Sequence, residues 1–308
     1  MKLSIGPVLF EWGRKGFIEF YRRMAHETPA DILYIGEVVC SKRQNLDPDE
    51  LLRLALEIRQ LGKEVVFSTL GLVMTPEEVQ TIGEIAHYAR QEGFAMEAND
   101  MAAISLGEAN KDKPGIPMVA GPHITTYNPE TVDFLASIGV FRVVPPVELS
   151  QKSIQGLFGS LVTTPPLEKE VFAYGRLPLT FSARCYTSRA FHLPKVNCQF
   201  KCADFPDGMV AHTQEGQEFL VMNGTETMSG KLFNLAGQVD ILREIGTHIV
   251  RISPQSRNMV EIVMIWKNLL DRKIDSIEAM ARLTEANGGE NFCNGYFFNQ
   301  PGLDFVAM

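Results

Sequence analysis

A parallel α/β barrel, closed or incomplete, is the fold this sequence predicts, on three observations. Short apolar runs alternate with amphipathic stretches through the first half of the 308 residues. Strand-like runs return about every 25 to 30 residues, the spacing of a strand, a crossover helix and the next parallel strand. At least six such units follow one another, which favours a barrel of the triosephosphate-isomerase kind over an open doubly wound sheet. No GxGxxG follows the first strand, so dinucleotide binding has no support.

Taken in order, residues 2–10 read as a strand, 16–25 as a helix and 32–39 as a second strand. The helix at 47–62 opens on Asp47 as N-cap with Pro48 at its first position, and it closes on Gly62. Leu51, Leu54, Ala55, Ile58 and Leu61 recur at the helical period and mark its buried face. Strand 64–69 precedes a helix from Thr75 to about Gly93, whose apolar face is Val79, Ile82, Ile85, Ala86 and Ala89. Then come strand 95–98, a short helix, strand 117–121, a helix at 128–139 and strand 141–149.

Beyond residue 165 the rhythm breaks. Residues 170–230 are rich in Gly, Pro, Thr and aromatics, with strand-like pieces at 170–181 and 218–226. Helical patterning resumes at 232–246, followed by a strand at 248–254 and helices at 260–273 and 274–286. No linker divides the chain. The expectation is a single domain over 1–308, with barrel-like units at 1–165 and 232–308 and an irregular cysteine-bearing insertion at 170–230.

Composition narrows the function. A net charge of −8 argues against a nucleic-acid partner, whose phosphates need a basic surface. The N-terminus lacks the apolar run and cleavage site of a signal peptide, and no window approaches the roughly 20 apolar residues of a membrane span. The expected location is the cytoplasm. There, clustered thiols serve metals or redox chemistry more often than structural disulfides, and five cysteines cannot all pair. GxSxG and Walker sequences are absent, which removes the serine-hydrolase and P-loop classes. The 13 Met and 19 Phe suit core packing, and also an apolar ligand or aromatic substrate.

Three cysteines crowd into FSARCYTSRAFHLPKVNCQFKC: Cys185, Cys198 and Cys202, with twelve and three residues between them. If that segment is helical, Cys198 and Cys202 lie one turn apart and face one centre. A fourth ligand must come from elsewhere. Cys40 is one candidate, just past the strand at 32–39, at the barrel end where functional groups gather; Cys293 is the other. Thiolates favour zinc or iron–sulfur over magnesium or calcium. The spacing fits paired structural-zinc motifs poorly, whereas iron–sulfur clusters accept varied spacings. Redox thiols and unrelated free cysteines stay open. Nearby Arg184, Arg189, Lys195 and Lys201 are expected to lower thiol pKa values and offset cluster charge.

Other strand-end groups are less specific. His123, Glu37 with Arg43, Glu97 with Asn99, and Glu148 each sit where a barrel pocket could form, and each also suits a hydrogen-bonded loop or an ordinary ion pair. His87 falls beside the apolar stripe of its helix and reads as structural.

The stretch EVFAYGRLPLTFSARCYTSRAF (170–191), with VELS upstream and CNGYFF near the C-terminus, resembles the collagenase-like peptidase family of the unclassified "U" type. YIGEVVCSKR, GPHITTYN and NCQFKC extend the resemblance over essentially the whole chain. The family's central motif reads approximately EVFxHGALCxxxSGxC, and here Tyr174 replaces its His, Arg176 its Ala and Pro178 its first Cys. Those departures speak against peptidase activity and leave the site one thiol short. Within the family, the branch of oxygen-independent ubiquinone synthesis implies a [4Fe–4S] cluster held by Cys40, Cys185, Cys198 and Cys202, with Cys293 left as a buried thiol. It also implies a heterodimer with a homologous UbiU-like subunit, an organic oxygen donor such as prephenate, and an accessory lipid-binding protein presenting the prenylated substrate. The alternatives are a non-catalytic scaffold that stabilises the partner, and a U-type peptidase.

Overall fold

The structure, a computed structural model, describes residues 1–307 apart from 44, 112 and 163–165. The expected unit boundary at residue 165 therefore lies outside the described residues. Seven strands come first: β1 (Lys2–Ile5), β2 (Ile32–Ile35), β3 (Glu64–Ser68), β4 (Ala95–Ala98), β5 (Met118–Ala120), β6 (Val140–Val143) and the long β7 (Glu168–Phe181). Five follow: β8 (Met209–His212), β9 (Glu218–Asn223), β10 (Glu226–Asn234), β11 (Ile249–Ile252) and β12 (Phe292–Cys293). Strands β1 to β7 pair in parallel, each with the next, and β11 pairs in parallel with both β7 and β1. The eight close a complete barrel, as expected of the triosephosphate-isomerase kind.

The helices are α1 (Gly13–Glu27), α2 (Pro48–Gln60), α3 (Pro76–Glu92), α4 (Met101–Gly107), α5 (Pro129–Ser137), α6 (Gln151–Gly159), α7 (Tyr186–Ala190), α8 (Val239–Glu244), α9 (Met259–Leu270) and α10 (Ser276–Ala286). Local sequence places the starts of α2, α3 and α5. The side chains of Asp47, Thr75 and Asn128 each accept the backbone N–H three residues on, and Pro follows each at the first helical position. Leu51, Leu54, Ala55 and Ile58 of α2 are buried against the barrel. Each of its larger apolar side chains contributes about 1.5–3 kcal/mol there. None of the helices among the described residues is long and apolar enough to cross a membrane.

Three expected strands are shorter than their apolar runs. Gly6-Pro7, Gly36 and Pro145-Pro146 end β1, β2 and β6, and the apolar residues beyond them build loops at the barrel's C-terminal mouth. The helix expected at 232–246 is corrected to α8 alone. Leu232 and Phe233 lie in β10 instead, paired with β7 on one side and β12 on the other, because two strand partners outweigh a helical period.

The long β7 serves two structures. Its first half is a barrel stave between β6 and β11, and its second half pairs antiparallel with β10, which carries β9 and β8. Gly175 marks the departure. Its φ of +116° favours glycine, and a Cβ there would lie 2.7 Å from that of Ser253.

The barrel interior mixes apolar residues with a charged network. Ile32, Tyr34, Val66, Val119, Val144 and Ile249 pack together. Among them Arg251 donates to Glu170 at 2.8 Å and to Glu97 at 2.6 Å, and its guanidinium lies 4.0 Å over the Tyr34 ring. Arg142 donates to Glu64 and to Tyr34, at 2.6 and 3.0 Å. Glu97 and Glu170 are completely buried, so each depends on these partners.

Candidate functional site

The loop after β2 begins at Gly36, where a Cβ would meet the Ser68 carbonyl at 2.1 Å. The Glu37 carboxylate then accepts the N–H groups of Val39 and Cys40, at 2.9 and 3.0 Å, and so sets the turn that presents Cys40. Arg43 is buried and donates to the Leu9 carbonyl at 2.5 Å and to the Asn223 side-chain oxygen at 2.7 Å. Thr225 donates its hydroxyl to the Val39 carbonyl at 2.7 Å. Loop and antiparallel extension are thereby bonded together, with no ion pair between Arg43 and Glu37 among the described contacts.

The cysteine segment is fastened to the same place. Ser182 and Tyr186 donate their backbone N–H groups to Thr225 and Gly224, and Gly224 donates to the Thr187 hydroxyl. Cys185 caps α7, its sulfur accepting the Ser188 N–H at 3.4 Å. Lys42 reaches across to the carbonyls of Lys195 and Val196, at 2.8 and 2.7 Å.

Cys40, Cys185, Cys198 and Cys202 all line one small cavity of about 20 Å³. Each is half-buried and in no disulfide, and among the described residues the cavity wall holds no Asp, Glu or His. Lys42, Arg43, Lys195 and Lys201 line it too, whereas Arg184 and Arg189 stand exposed away from it. Cys293 is elsewhere, completely buried in β12. Among the described residues, no three His, Cys, Asp or Glu side chains converge as ligands of a single metal ion. The donor set of four thiols with balancing cations suits a cluster that takes one thiolate per iron.

The helical turn expected between Cys198 and Cys202 does not form. Gln199 and Phe200 both adopt left-handed backbone, with φ of 52° and 50°, and a 3-10 turn starts only at Lys201. Each such residue costs about 1–2 kcal/mol, held by the surrounding bonds. The expected lowering of thiol pKa is also corrected. Burial raises Cys40 and Cys202, and the opposing pull of Arg43 offsets this only in part.

Around Arg43 stand three carboxyls whose pKa values burial raises: Glu11, Glu37 to about 7 and Glu226 to about 8. The sequence singled out neither Glu226 nor Asn223: they bond each other at 2.9 Å, but Leu9 and Arg43, which Asn223 also meets, lie far off in the chain. Other strand-end candidates are dispersed. Glu97 and Asn99 belong to the barrel network, Glu148 is exposed and accepts from Tyr127, and half-buried His123 packs edge-on to Phe181 at 4.6 Å. His87 is exposed beside Tyr88.

Residues 21–305 match the family model described as peptidase family U32. The chain belongs to that family. Solved structures it is similar to include N-acetylneuraminate lyase from Mycoplasma synoviae, at 10% identity, 92% of this chain, 79% of that one and a TM-score of 0.48. Others are the U32 peptidase Mk0906, at 8% identity, 83% and 94% coverage and a TM-score of 0.43, and a tryptophan synthase complex from Pyrococcus furiosus, at 10%, 93%, 97% and 0.44. As a U32 member the chain departs from the central motif at positions that are structural here. Tyr174 is completely buried, its ring 6.0 Å from Phe292 and 6.5 Å from Trp266, and Pro178 sits opposite Met228 in the β7–β10 ladder.

Proposed function

We propose that this chain is a UbiV-like U32 protein, the iron–sulfur subunit of an oxygen-independent hydroxylation system for ubiquinone precursors. One observation supports the reading above the rest: Cys40, from the loop after β2, lines the same cavity as Cys185, Cys198 and Cys202. Four thiols make up the ligand complement of a [4Fe–4S] cluster, and Lys42, Arg43, Lys195 and Lys201 would balance its negative charge. When bound, such a cluster supplies one-electron transfer or a cross-link between the loop and the insertion. The protein's own part is to hold Cys40 by the Glu37 and Arg43 bonds and to tie the cysteine segment down through Lys42. In this reading the subunit pairs with a homologous UbiU-like partner in the cytoplasm. An organic donor such as prephenate supplies the oxygen atom, and an accessory lipid-binding protein presents the prenylated substrate. Peptidase chemistry has no support, since the motif's His and first Cys are replaced by the core residues Tyr174 and Pro178.

Anaerobic purification with iron, sulfide and zinc analysis tests the cluster. About four irons and four sulfides per chain, with broad visible absorption, are expected. A colourless protein holding stoichiometric zinc would overturn it. Cells lacking the protein should lose ubiquinone only without oxygen, and an equal defect in air would remove the oxygen-independent role.

A further inference from the structure

The segment that carries Cys185, Cys198 and Cys202 differs in charge from the rest of the chain. Residues 181–202 hold Arg184, Arg189, Lys195 and Lys201 and no Asp or Glu, in a protein whose net charge is −8. Lys201 alone of the four forms an ion pair among the described residues, with Asp204 at 3.4 Å. Large apolar side chains of the same segment stand in solvent: Val196 is 83% exposed, Phe200 48% and Phe191 39%. The segment folds onto itself. Lys195 donates to the Ala183 carbonyl at 3.2 Å, and the Lys201 ammonium lies 5.6 Å over the Phe191 ring. Cations and apolar side chains are thereby interleaved beside the cysteine cavity, which Lys195, Phe200 and Lys201 also line.

We infer that this patch docks on a bilayer surface rich in anionic phospholipid, with Val196 and Phe200 entering the interfacial zone and the cations meeting the phosphates. Charge sets the orientation, because an anionic surface attracts this segment and repels the acidic remainder of the chain. Each Arg or Lys near such a surface strengthens attachment about fivefold. Arg184 and Arg189 are exposed and lie outside the cavity wall, so charge held in the cavity leaves them free for lipid. Shape favours lipid over an acidic protein. A bilayer admits side chains that stand out singly, whereas a standard protein interface needs about 800 Å² of complementary surface on each partner. Docking itself requires no metal. Only its use rests on the proposed hydroxylation, for which it brings the cysteine cavity to the membrane from which a prenylated ring is drawn.

Co-sedimentation of the full chain with vesicles tests this, comparing phosphatidylcholine alone with a mixture of about seven parts phosphatidylcholine to three of phosphatidylglycerol. Partitioning onto the mixed vesicles is expected to be about twentyfold stronger or more, and to weaken as salt rises. Arg184→Glu together with Arg189→Glu should lower it about twentyfold or more. Val196→Trp, at an exposed position, should strengthen binding, and the added fluorescence should shift to the blue on the mixed vesicles. Equal partitioning onto both vesicles, an unchanged bound fraction in the charge-reversed protein, or no blue shift would each overturn the proposal. The tryptophan variant decides the matter even if the charge-reversed protein fails to fold. Binding to soluble polyglutamate as tight as to the mixed vesicles, and indifferent to Val196→Asp, would assign the patch to an acidic protein and overturn the bilayer. An iron-free protein that binds the mixed vesicles would uphold the docking while removing the cluster. A four-iron protein that ignores them would remove the docking and leave the cluster standing.

Discussion

Arg43 and Asn223, 180 positions apart in the chain, are joined by a 2.7 Å hydrogen bond from the guanidinium to the side-chain oxygen. Asn223 also donates to the Leu9 carbonyl that Arg43 reaches, at 2.7 Å. The loops after β1 and β2 and the end of β9 therefore meet in one bonded ring. Arg43→Met leaves the Asn223 side-chain oxygen buried and unpaired and takes one of two donors from the Leu9 carbonyl, and is expected to destabilise the protein by about 2–4 kcal/mol. Denaturant unfolding measures this. Iron content should fall as well, though Cys40 is untouched, and a variant of unchanged stability would deny the pinning role.

Single Cys→Ser changes should separate the five cysteines. Iron is expected to be lost at Cys40, Cys185, Cys198 and Cys202 and kept at Cys293. Burial pushes the Cys293 thiol up to about 12, so it stays protonated, a poor ligand. Cys40→Ser with full iron content would show that another residue is the fourth ligand.

Stability should depend on pH through groups whose pKa values burial shifts, Glu37 and Glu226 upward and His123 downward. Burial raises Glu226 to about 8 from 4.5, against the opposing pulls of Asn223 and Arg43. Between those values the unfolded chain has released a proton that the folded chain keeps, so stability falls as pH rises through that window. Burial, with Arg251 nearby, lowers His123 to about 3 from 6.5, so stability also falls as pH drops from 6.5 towards 3. Thermal melts of metal-free protein from about pH 4 to 9 should show both limbs, and Glu226→Gln should make the alkaline one shallower, leaving the share that Glu37 contributes. An unchanged alkaline limb in that variant would assign the loss to other groups.

Arg251→Leu tests the barrel network. It leaves Glu97 buried without its cation and Glu170 with Arg142 alone, at 3.9 Å, and a loss of about 3–5 kcal/mol is expected. Adding Glu97→Gln should restore part of it. Denaturant midpoints of the single and double variants give the answer, and additive losses would mean that the residues act separately.

The barrel was legible because its signals are local. Asp47-Pro48, Thr75-Pro76 and Asn128-Pro129 announce helix starts within four residues, and the apolar runs of β2 to β6 need no distant partner to be seen. Three of the thiols stood out in the sequence and the family resemblance named Cys40 as the fourth, but the bonds that gather them around one cavity could not be read there. Lys42 to Lys195, Arg43 to Asn223 and Thr225 to Val39 join distant segments and leave no periodic trace. Arg142 and Arg251 were hidden for a related reason. Each sits inside an apolar run, and only barrel closure puts carboxylates opposite them. Likewise, residues 232–234 kept a helical pattern that two strand partners overrode.

The seam that closes the barrel joins Lys2–Ile5 to Ile249–Ile252. On a ribosome, Cys40 emerges early, whereas β11, which shuts the barrel, is among the last strands made. Until then the growing chain is an open sheet with a free edge, and the arrangement that brings Cys40 to the other three thiols is not locked. The cavity that the four cysteines line therefore takes its final form only after β11 has been made.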